Sequence, residues 1–224
     1  MSKQLNPRIT LTGIDKRVPY NWLDEALAEY PELELGLLYT HGPEGRPRYP
    51  RASWIEHMVY EFPGRCAVHL CGGRIRAEAQ HGTLPEWVAQ AARIQANGSY
   101  GICEVANLCL RYPNSEIITQ HTLHGEDLTT YPNIANHALL VDASGGRGVS
   151  PGTWHRPTTT KRVGFAGGLG PDNLAQELPR IANVSTGEYW VDMEGRLRDH
   201  NDWFCLERAE KVLNVFREWG EERG

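Results

Sequence analysis

The stretch VGFAGGLGPDNL, residues 163–174, decides the fold. Its apolar start is too short for a helix and predicts a buried parallel strand, which runs into Gly167 and Gly168. Glycine lets the backbone bend sharply and leaves the N–H groups uncovered. Asp172 is placed to cap the next helix, with Pro171 at its boundary. The result is either a site for an anion, often a phosphate, or a turn that needs small residues and binds nothing.

Apolar runs alternate with helix-like segments on both sides of this stretch. Helix 53–62 begins with Ser53 and carries Glu56 three residues later, which predicts a capping box. The segment 101–113 reads as a helix, although its β-branched residues also allow a strand. The predicted helices are 21–31, 53–62, 84–92, 101–113, 172–181 and 203–223. The predicted strands are 8–15, 33–40, 66–73, 93–98, 116–122, 137–146 with its loop, 163–168 and 188–195.

Eight short strands alternating with helices in 224 residues predict a (β/α)8 barrel, the TIM barrel. The competing architecture is an open, doubly wound sheet. The barrel is favoured because the glycine turn follows strand seven, and barrels commonly bind phosphate after strands seven and eight. No low-complexity stretch or linker divides the chain, so we expect a single domain over residues 1–224.

Composition narrows the class of protein. The net charge of -5 gives no basic footprint for nucleic acid. No apolar run approaches the roughly 20 residues of a membrane span, and the N-terminus lacks the apolar core of a signal peptide. Five cysteines without a CxxC pair indicate reduced thiols. We therefore expect a cytoplasmic protein, monomeric or homodimeric.

In a barrel, the functional groups lie where the strands end at their C-terminal side. Together these groups can supply an acid, a base and orienting contacts, although strand ends are also polar simply because they meet water. A histidine there can be a core residue bonded to backbone, and a cysteine is more often a buried thiol than a nucleophile. A zinc site from His69, His121 and Asp142 is conceivable, but no close-spaced ligand pair supports it, and no metal is predicted. The groups are Thr12, Asp15, Tyr39, His41, His69, Cys71, Gln95, Asn97, Gln120, His121, Asp142, Asp192 and Glu194.

Three segments resemble the phosphoribosylanthranilate isomerase family. They are LLVDASGGRG at 139–148, VGFAGGLGPDNL at 163–174 and the following YWVDMEG. The family carries an Asp at the end of strand six before a Gly-Gly turn, and an A-G-G-L-x-P-x-N-V run at strand seven. RIQANG at 93–98 is similar to its V-Q-L-H-G strand, and RPRYP at 46–50 resembles its Arg-containing loop.

The resemblance implies a cofactor-free isomerisation of a phosphorylated amino sugar. Asp142 matches the family acid, and Arg48, or Arg46, matches the arginine that holds the substrate carboxylate. The family base is a cysteine at the end of strand one, where this chain has Thr12, so Asp15, His69 or Cys71 would replace it. At strand eight Glu194 stands where the family has small residues, and Arg196 can offset its charge. The expected substrate contacts are Thr12, Arg46, Arg48, Gln95, Asn97, Gly146, Gly167, Gly168, Glu194 and Arg196.

Two functions of different class follow. One is an isomerase that acts on a small, phosphorylated sugar or carbonyl compound by general acid–base chemistry. The other is a barrel that has lost or changed catalysis and binds a small anionic ligand. Thr12 in place of the family cysteine favours the second, and the presence of Asp142 and Arg48 favours the first.

Overall fold

The computed structural model describes residues 7–42, 46–122, 128, 131, 133–142, 144, 148–155, 157–185 and 187–221. Within these residues the strands are β1 Arg8–Thr12, β2 Leu33–Tyr39, β3 Cys66–Leu70, β4 Arg93–Ala96, β5 Glu116–His121, β6 His137–Asp142, β7 Val163–Ala166 and β8 Tyr189–Met193. The helices are α1 Tyr20–Glu29, α2 Ala52–Glu61, α3 Gly73–His81, α4 Ile102–Arg111, α5 Leu174–Val184 and α6 Leu206–Glu221. Short 3-10 helices occupy Glu86–Gln90 and Gly195–Leu197.

The eight strands form a closed parallel barrel in sequence order. Ile9 of β1 is opposite Leu33 of β2 on one side and opposite Val191 of β8 on the other. This closure confirms the predicted (β/α)8 barrel and excludes the open sheet, which would leave β1 and β8 unpaired at an edge. Each of the eight predicted strands is present, with ends up to four residues shorter than predicted.

Alternation along the strands separates an outer from an inner core. The outward residues join the helices in one large apolar cluster. The inward residues form a smaller cluster of Ile118, Ala138, Leu140 and Trp190 inside the barrel. A Cβ at Gly164 would lie 2.0 Å from the Trp190 ring, so glycine is required where the indole fills the barrel. The barrel is therefore a packed core, with a site only at its ends.

Charged side chains close the N-terminal end of the barrel. Arg93 is buried and lies 3.0 Å from a carboxylate oxygen of Glu34 and 2.7 Å from one of Glu116. Its guanidinium also lies 3.9 Å from the centroid of the Trp190 ring. Arg162 extends the chain of ion pairs by binding Glu116 from the other side. This network of opposite charges satisfies groups that would otherwise be costly to bury.

Four local predictions are wrong. The sequence reading missed α3, because its segment is polar and buries only Ile75 and Ala79. The predicted helix 84–92 is a single short 3-10 segment. Ser53 does not cap α2, because the helix begins one residue earlier with Arg51 at the cap position and no side-chain cap. Asp172 does not cap α5 either, since that helix begins at Leu174 after Asn173.

The connections on either side of β6 differ from the other crossovers. Between β5 and β6, and between β6 and β7, the structure assigns no α-helix to the residues that it describes. An aromatic side chain packs against the outside of the barrel there: the Trp154 ring contacts the Phe165 ring of β7 edge-on. In the described chain, no helix is both long and apolar enough to cross a membrane.

Candidate active site

The C-terminal end of the barrel, called the mouth below, collects polar side chains that project inward from several strands. Hydrogen bonds between neighbouring strands show that these side chains share one interior. Because β-strand residues alternate between faces, each of them lies two residues from another inward residue of the same strand. The inward residues at the mouth are Thr12, His69, Cys71, Gln95, Asn97, Gln120, Asp142, Asp192 and Glu194.

Asp192, on the last strand, has the most perturbed carboxyl group of the mouth. It is buried, and the Thr12 hydroxyl donates a hydrogen bond of 2.6 Å to its Oδ1. Burial raises the pKa of Asp192 to about 7, and the charge of Glu194 adds to the rise, while the Thr12 hydrogen bond opposes it. A carboxyl group with that pKa can both take and give a proton near neutral pH.

Asp142 ends β6, and donors on two sides hold its carboxylate in place. Its Oδ1 accepts hydrogen bonds from the backbone N–H of Ser144 at 3.0 Å and from its hydroxyl at 2.7 Å. Its Oδ2 accepts one from the Gln120 side-chain amide at 2.8 Å. Ser144 Oγ in turn accepts the N–H of Gly148 and so ties the loop after β6 to this carboxylate. The predicted contact Gly146 lies outside the described residues.

Arg48 crosses the mouth from the loop after β2 to the segment after β8. Its guanidinium makes two hydrogen bonds to Asp202, of 3.1 and 2.6 Å, and its Nη1 lies 3.0 Å from Oε1 of Glu194. Burial raises the pKa of Glu194, and the charges of Asp202 and Asp142 add to the rise, while Arg48 opposes it. The predicted carboxylate binder therefore already holds two carboxylates of its own chain.

A directed chain of hydrogen bonds lines the mouth on β3 and β4. The Cys71 thiol donates to the backbone carbonyl of His69, so its sulfur accepts the Asn97 amide N–H at 3.4 Å. Asn97 Oδ1 then accepts the Gln95 amide N–H at 2.9 Å. This order leaves Oε1 of Gln95, which is buried, without a donor among the described residues, and Nε2 of His69 also has no partner there.

Two of the proposed bases are poorly suited to accept a proton near neutral pH, for opposite reasons. Burial raises the pKa of the Cys71 thiol to about 12, so the nucleophilic thiolate is not populated at neutral pH. Burial lowers the pKa of His69 to about 3, with the charge of Arg93 contributing, so the ring is neutral and a poor proton acceptor. Both residues remain contacts of the mouth.

Asp15, the third proposed base, is part of the scaffold. Its Oδ1 accepts the backbone N–H of Arg17 at 2.9 Å, and its Oδ2 accepts that of Phe204 at 2.8 Å. Arg198 lies 3.8 Å from the same Oδ2. These contacts tie the loop after β1 to the segment before α6, and they use both oxygens. The geometry gives Asp15 a structural role in this connection.

The glycine turn after β7 has the predicted backbone, with φ of 115° at Gly167 and 65° at Gly168. However, a Cβ at Gly168 would lie 2.2 Å from the backbone nitrogen of Ser150, so this glycine is required by the packing of its own chain. Asn173 fastens the turn by accepting the Gly170 N–H and donating to the Gly168 carbonyl. Arg196, on the 3-10 helix after β8, packs over Gly170.

Arg46 does not enter the mouth. It is exposed and lines a cavity of about 370 Å³ between the loops after β1 and β2 and the segment before α6, together with Trp54 and Trp203.

His121 also lies outside the mouth, because it faces outward and its Nε2 shares the Thr119 hydroxyl with His137. The conceivable zinc set with His121 is therefore not assembled, and no group of three metal-binding side chains is found in the described residues.

The sequence predicted no catalytic or binding role for three residues at or near the mouth. Asp192 and Gln120 were recognised only as polar strand ends, although alternation already put Asp192 on the same face as Trp190 and Glu194. Asp202 carried no signal at all, because its partner Arg48 is 154 residues away. Its φ of 65° is unusual for a residue other than glycine, and this conformation can be recognised only in the structure.

Comparison with solved structures identifies the fold. A phosphoribosyl anthranilate isomerase from Thermus thermophilus is 18% identical with a TM-score of 0.66, and the match covers 95% of this chain and 99% of that one. A TrpF from Jonesia denitrificans is 19% identical with a TM-score of 0.64, covering 94% and 97%. A phosphoribosyl anthranilate isomerase in complex with reduced 1-(o-carboxyphenylamino)-1-deoxyribulose 5-phosphate gives 14% and 0.62, covering 95% and 99%.

No protein-family model matches the sequence, and a sequence search finds no match among curated proteins. A citrate lyase from Burkholderia xenovorans also shares the barrel, at 12% identity and a TM-score of 0.56, covering 94% of this chain and 77% of that one. The chain therefore resembles the isomerases in fold, as its glycine-rich motifs predicted, while the likeness at these identities extends to the fold alone.

Proposed function

We propose that this protein is a cofactor-free isomerase that moves protons on a small sugar or carbonyl compound at the mouth of the barrel. The observation that carries the proposal is Asp192, a buried carboxyl group with a pKa of about 7 that receives a hydrogen bond from Thr12. A general acid–base catalyst works best when its pKa is near the operating pH, and burial is the usual way to achieve that for an aspartate.

We propose that the base lies on β8, the strand next to the position at which the related isomerases have their catalytic cysteine. Thr12 stands where the related isomerases have a cysteine, and its hydroxyl is too weak an acid to form the base. Because β1 pairs with β8, the Asp192 carboxylate reaches that place from the neighbouring strand, at 2.6 Å from the Thr12 oxygen. Thr12 then orients the base, and Asp192 takes the proton from the substrate carbon.

Asp142 is proposed as the partner that delivers a proton to the substrate oxygen. It matches the acid of the isomerase family, and it ends β6. Its charge contributes to the raised pKa of Glu194, and the charge of Glu194 contributes to that of Asp192. The carboxyl groups therefore share one electrostatic environment. Removal of the C2 proton by Asp192 and protonation of the carbonyl oxygen by Asp142 would give an enediol. Return of the Asp192 proton to the former carbonyl carbon, with transfer of the proton on the neighbouring oxygen to Asp142, would give the ketose-type product and restore both carboxyl groups.

A phosphate on the substrate is proposed to bind after β7 and β8. The support is the glycine turn before α5 and the 3-10 helix Gly195–Leu197, which together form the arrangement that barrels use for phosphate. Arg196 is the nearby cation. Inorganic phosphate at millimolar concentration is expected to raise the melting temperature, and Arg196→Gln is expected to weaken that effect. Arg74→Gln, on the far helix α3, is the control variant. If phosphate raises the melting temperature of Arg196→Gln as much as that of Arg74→Gln, the assignment is contradicted.

Solvent-hydrogen exchange tests the proposed chemistry without knowledge of the natural substrate. A panel of aldose and ketose phosphates is incubated in D₂O, and loss of the proton next to the carbonyl carbon is followed by NMR. Asp192→Asn and Asp142→Asn are each expected to slow the exchange by about 10²-fold or more. Asp24→Asn on the exposed face of α1 is the matched control and should leave the exchange unchanged.

A second candidate is a barrel that binds a ligand and does not turn it over. The observation that favours it is the engagement of Arg48 with Asp202 and Glu194, which occupies the cation that the resemblance assigns to a substrate carboxylate. If sugar phosphates stabilise the protein but no compound of the panel exchanges hydrogen above the uncatalysed rate, the binding protein becomes the better interpretation.

A further inference from the structure

The cavity between the loops after β1 and β2 and the segment before α6 lies outside the mouth. Its volume of about 370 Å³ falls within the range of about 300–1,000 Å³ that is usual for small-molecule sites. None of the inward residues of the mouth contributes to its lining. The cavity, called the rim cavity below, is lined among others by Asp15, Lys16, Arg46, Arg51, Trp54 and Trp203.

Positive charge dominates the rim cavity. Lys16 and Arg46 are exposed, and their side chains make no hydrogen bond or ion pair with the described residues. Arg51, the residue before α2, adds a third cation. The only acid in the described part of the lining is Asp15, which is buried and already accepts a backbone N–H at each oxygen. Arg198 lies 3.8 Å from this carboxylate, so the rim cavity has an excess of positive charge for an anion.

Two tryptophans supply flat aromatic surface to the same cavity. Trp54, in the first turn of α2, is partly buried against the apolar core, and Trp203 before α6 is also partly buried. The Arg17 guanidinium lies 4.9 Å from the centroid of the Trp203 ring, a contact that helps to fix the orientation of this indole. Partly exposed indole rings beside cations are suited to stack on a planar ring that carries a negative group.

We propose that the rim cavity binds a nucleoside monophosphate, with its base against the two tryptophans and its phosphate on Lys16 and Arg46. Every nucleobase has a π face that stacks on an aromatic side chain. A phosphate monoester carries about 1.5 to 2 negative charges at pH 7 and three acceptor oxygens. The site goes beyond the proposed isomerase, because it uses none of the residues assigned to proton transfer or to the substrate phosphate.

Charge and size favour a nucleotide over a small aromatic acid. A carboxylate carries one negative charge, whereas three cations line the rim cavity, and the phosphate has enough oxygens to contact more than one of them. A single benzoate-sized ring would also leave much of the volume empty and would not reach both the tryptophans and the cations at their full contact area. A sugar between a base and a phosphate provides the missing length.

The rim cavity and the mouth share two segments of the chain. Arg46 and Arg48 are two residues apart on the loop after β2, and Trp203 follows Asp202 before α6. Arg48 joins the two segments by its hydrogen bonds to Asp202. A nucleotide that contacts both Arg46 and Trp203 bridges the same segments from the outer side. Its binding is therefore expected to raise the melting temperature of the folded protein.

Matched ligands test the proposal. Binding of the four common nucleoside 5′-monophosphates, of their nucleosides and of ribose 5-phosphate is measured by calorimetry at pH 7 with the intact protein. At least one nucleotide is expected to bind about tenfold more tightly, or better, than either of its parts, since the base and the phosphate each contribute. The proposal is overturned if no nucleotide binds at millimolar concentration, if none exceeds ribose 5-phosphate, or if benzoate binds more tightly.

Variants locate the nucleotide in the rim cavity. Arg46→Gln and Lys16→Gln, at exposed positions, should each weaken its binding about fivefold or more. Arg217→Gln on α6, where the arginine pairs with Glu29, removes the same charge elsewhere and should leave the affinity unchanged. Trp203→Leu should weaken the nucleotide more than ribose 5-phosphate. Unchanged nucleotide affinity in both Arg46→Gln and Lys16→Gln would contradict the assignment.

The phosphate position proposed in the mouth is the competing location. Arg196→Gln should leave nucleotide binding intact, and a loss in this variant without a loss in Arg46→Gln would place the nucleotide in the mouth and overturn the inference. Nucleotide binding at the rim without hydrogen exchange on any sugar would retain the inference and reject the isomerase. Hydrogen exchange without nucleotide binding would retain the isomerase and reject the inference.

Discussion

At the scale of single residues, Asp192 combines the pKa that proton transfer requires with a cost in stability. Its carboxyl group is buried against Thr12 and Glu194, and its pKa is raised from 3.8 to about 7. A raised carboxyl pKa means that the folded protein favours the protonated form, so ionisation above pH 7 works against folding. Functional sites commonly carry such unfavourable groups, because a proton-transfer residue must have its pKa near neutral.

Asp192→Asn is therefore expected to lose hydrogen exchange activity and to gain stability. The amide has the same shape and still accepts the Thr12 hydrogen bond, but it carries no charge to bury. At pH 8 we expect an increase of about 1 kcal/mol or more in the free energy of unfolding, the equivalent of one pKa unit. Thermal unfolding should show a rise of about 2–4 °C. A lower melting temperature at pH 8 would show that the ionised carboxylate stabilises the fold.

Thr12→Val tests how the hydroxyl acts on the base. The Thr12 hydrogen bond favours the ionised form of Asp192, so its removal is expected to raise the Asp192 pKa further. The rising limb of the rate–pH profile should move upward by about one pH unit, with the maximal rate less affected. A substrate that exchanges hydrogen provides the measurement, and Thr83→Val, at an exposed position after α3, is the control for the loss of a threonine hydroxyl. An unmoved limb would exclude Asp192 as the group that titrates.

At the scale of elements, two glycines with nearly the same φ angle differ in their surroundings. Gly168 lies in the turn between β7 and α5, and Gly148 lies in the loop after β6. Gly168 has a φ of 65° and a Cβ there would collide with the backbone of Ser150. Gly148 has a φ of 66°, and no atom of the described residues lies within 4 Å of the position that its Cβ would take. The first glycine is required by close packing of two loops, and the second only by its backbone angle.

Substitution by alanine separates these two reasons. Gly148→Ala should cost about 1–2 kcal/mol, the cost of the left-handed conformation for a residue with a Cβ. Gly168→Ala bears the same cost and adds overpacking, for a total of about 3 kcal/mol or more. Urea denaturation of the two variants gives the comparison directly. Similar losses in both would mean that the loop of Ser150 moves away at little cost.

The alternation of strand residues explains how much of the site the sequence could predict. The position of Asp142 at the end of an apolar strand already indicated an inward carboxylate, and so did the pattern of YWVDMEG for the last strand. The sequence could not distinguish between the candidate bases, because a side chain's protonation state depends on its burial and neighbours. Asp15 and Cys71 have suitable chemistry, yet one is bound to backbone N–H groups and the other is held as a thiol.

At the scale of the whole molecule, His69, His137 and Asp192 are buried groups with large pKa shifts that contribute to the dependence of stability on pH. Burial lowers the pKa of His69 and of His137 to about 3, so each contributes stability above pH 6.5 that is lost as the pH falls. Asp192 acts in the opposite sense, because its protonated form is favoured between its unfolded pKa of 3.8 and about 7. Between pH 3.8 and pH 6.5, unfolding therefore takes up two protons at the histidines and releases one proton from the aspartate.

The free energy of unfolding contributed by these groups is expected to rise with pH up to about 6.5 and to fall slightly above it. Chemical denaturation between pH 4 and 9 measures the profile. In Asp192→Asn the fall above pH 6.5 should disappear, whereas in His137→Gln the loss of stability in acid should become less steep. A wild-type stability that is constant from pH 4 to 7 would show that the histidines are not kept neutral in the folded protein.

The sequence by itself determined the barrel and the place of its functional end. Short apolar runs alternating with helical segments, and a glycine turn after the seventh run, are local patterns that follow from backbone geometry and side-chain periodicity. The barrel itself is shared with the matched isomerase at 18% identity.

Only the tertiary structure decided which groups meet inside the mouth. Thr12 and Asp192 are 180 residues apart and become neighbours because the last strand pairs with the first. Arg48 meets Asp202 across the opening, and that contact converts an expected substrate-binding cation into part of an internal ion pair. Burial, pKa and charge balance all depend on such distant neighbours, since the energy of a charge is set by its solvent and partners and not by its position along the chain.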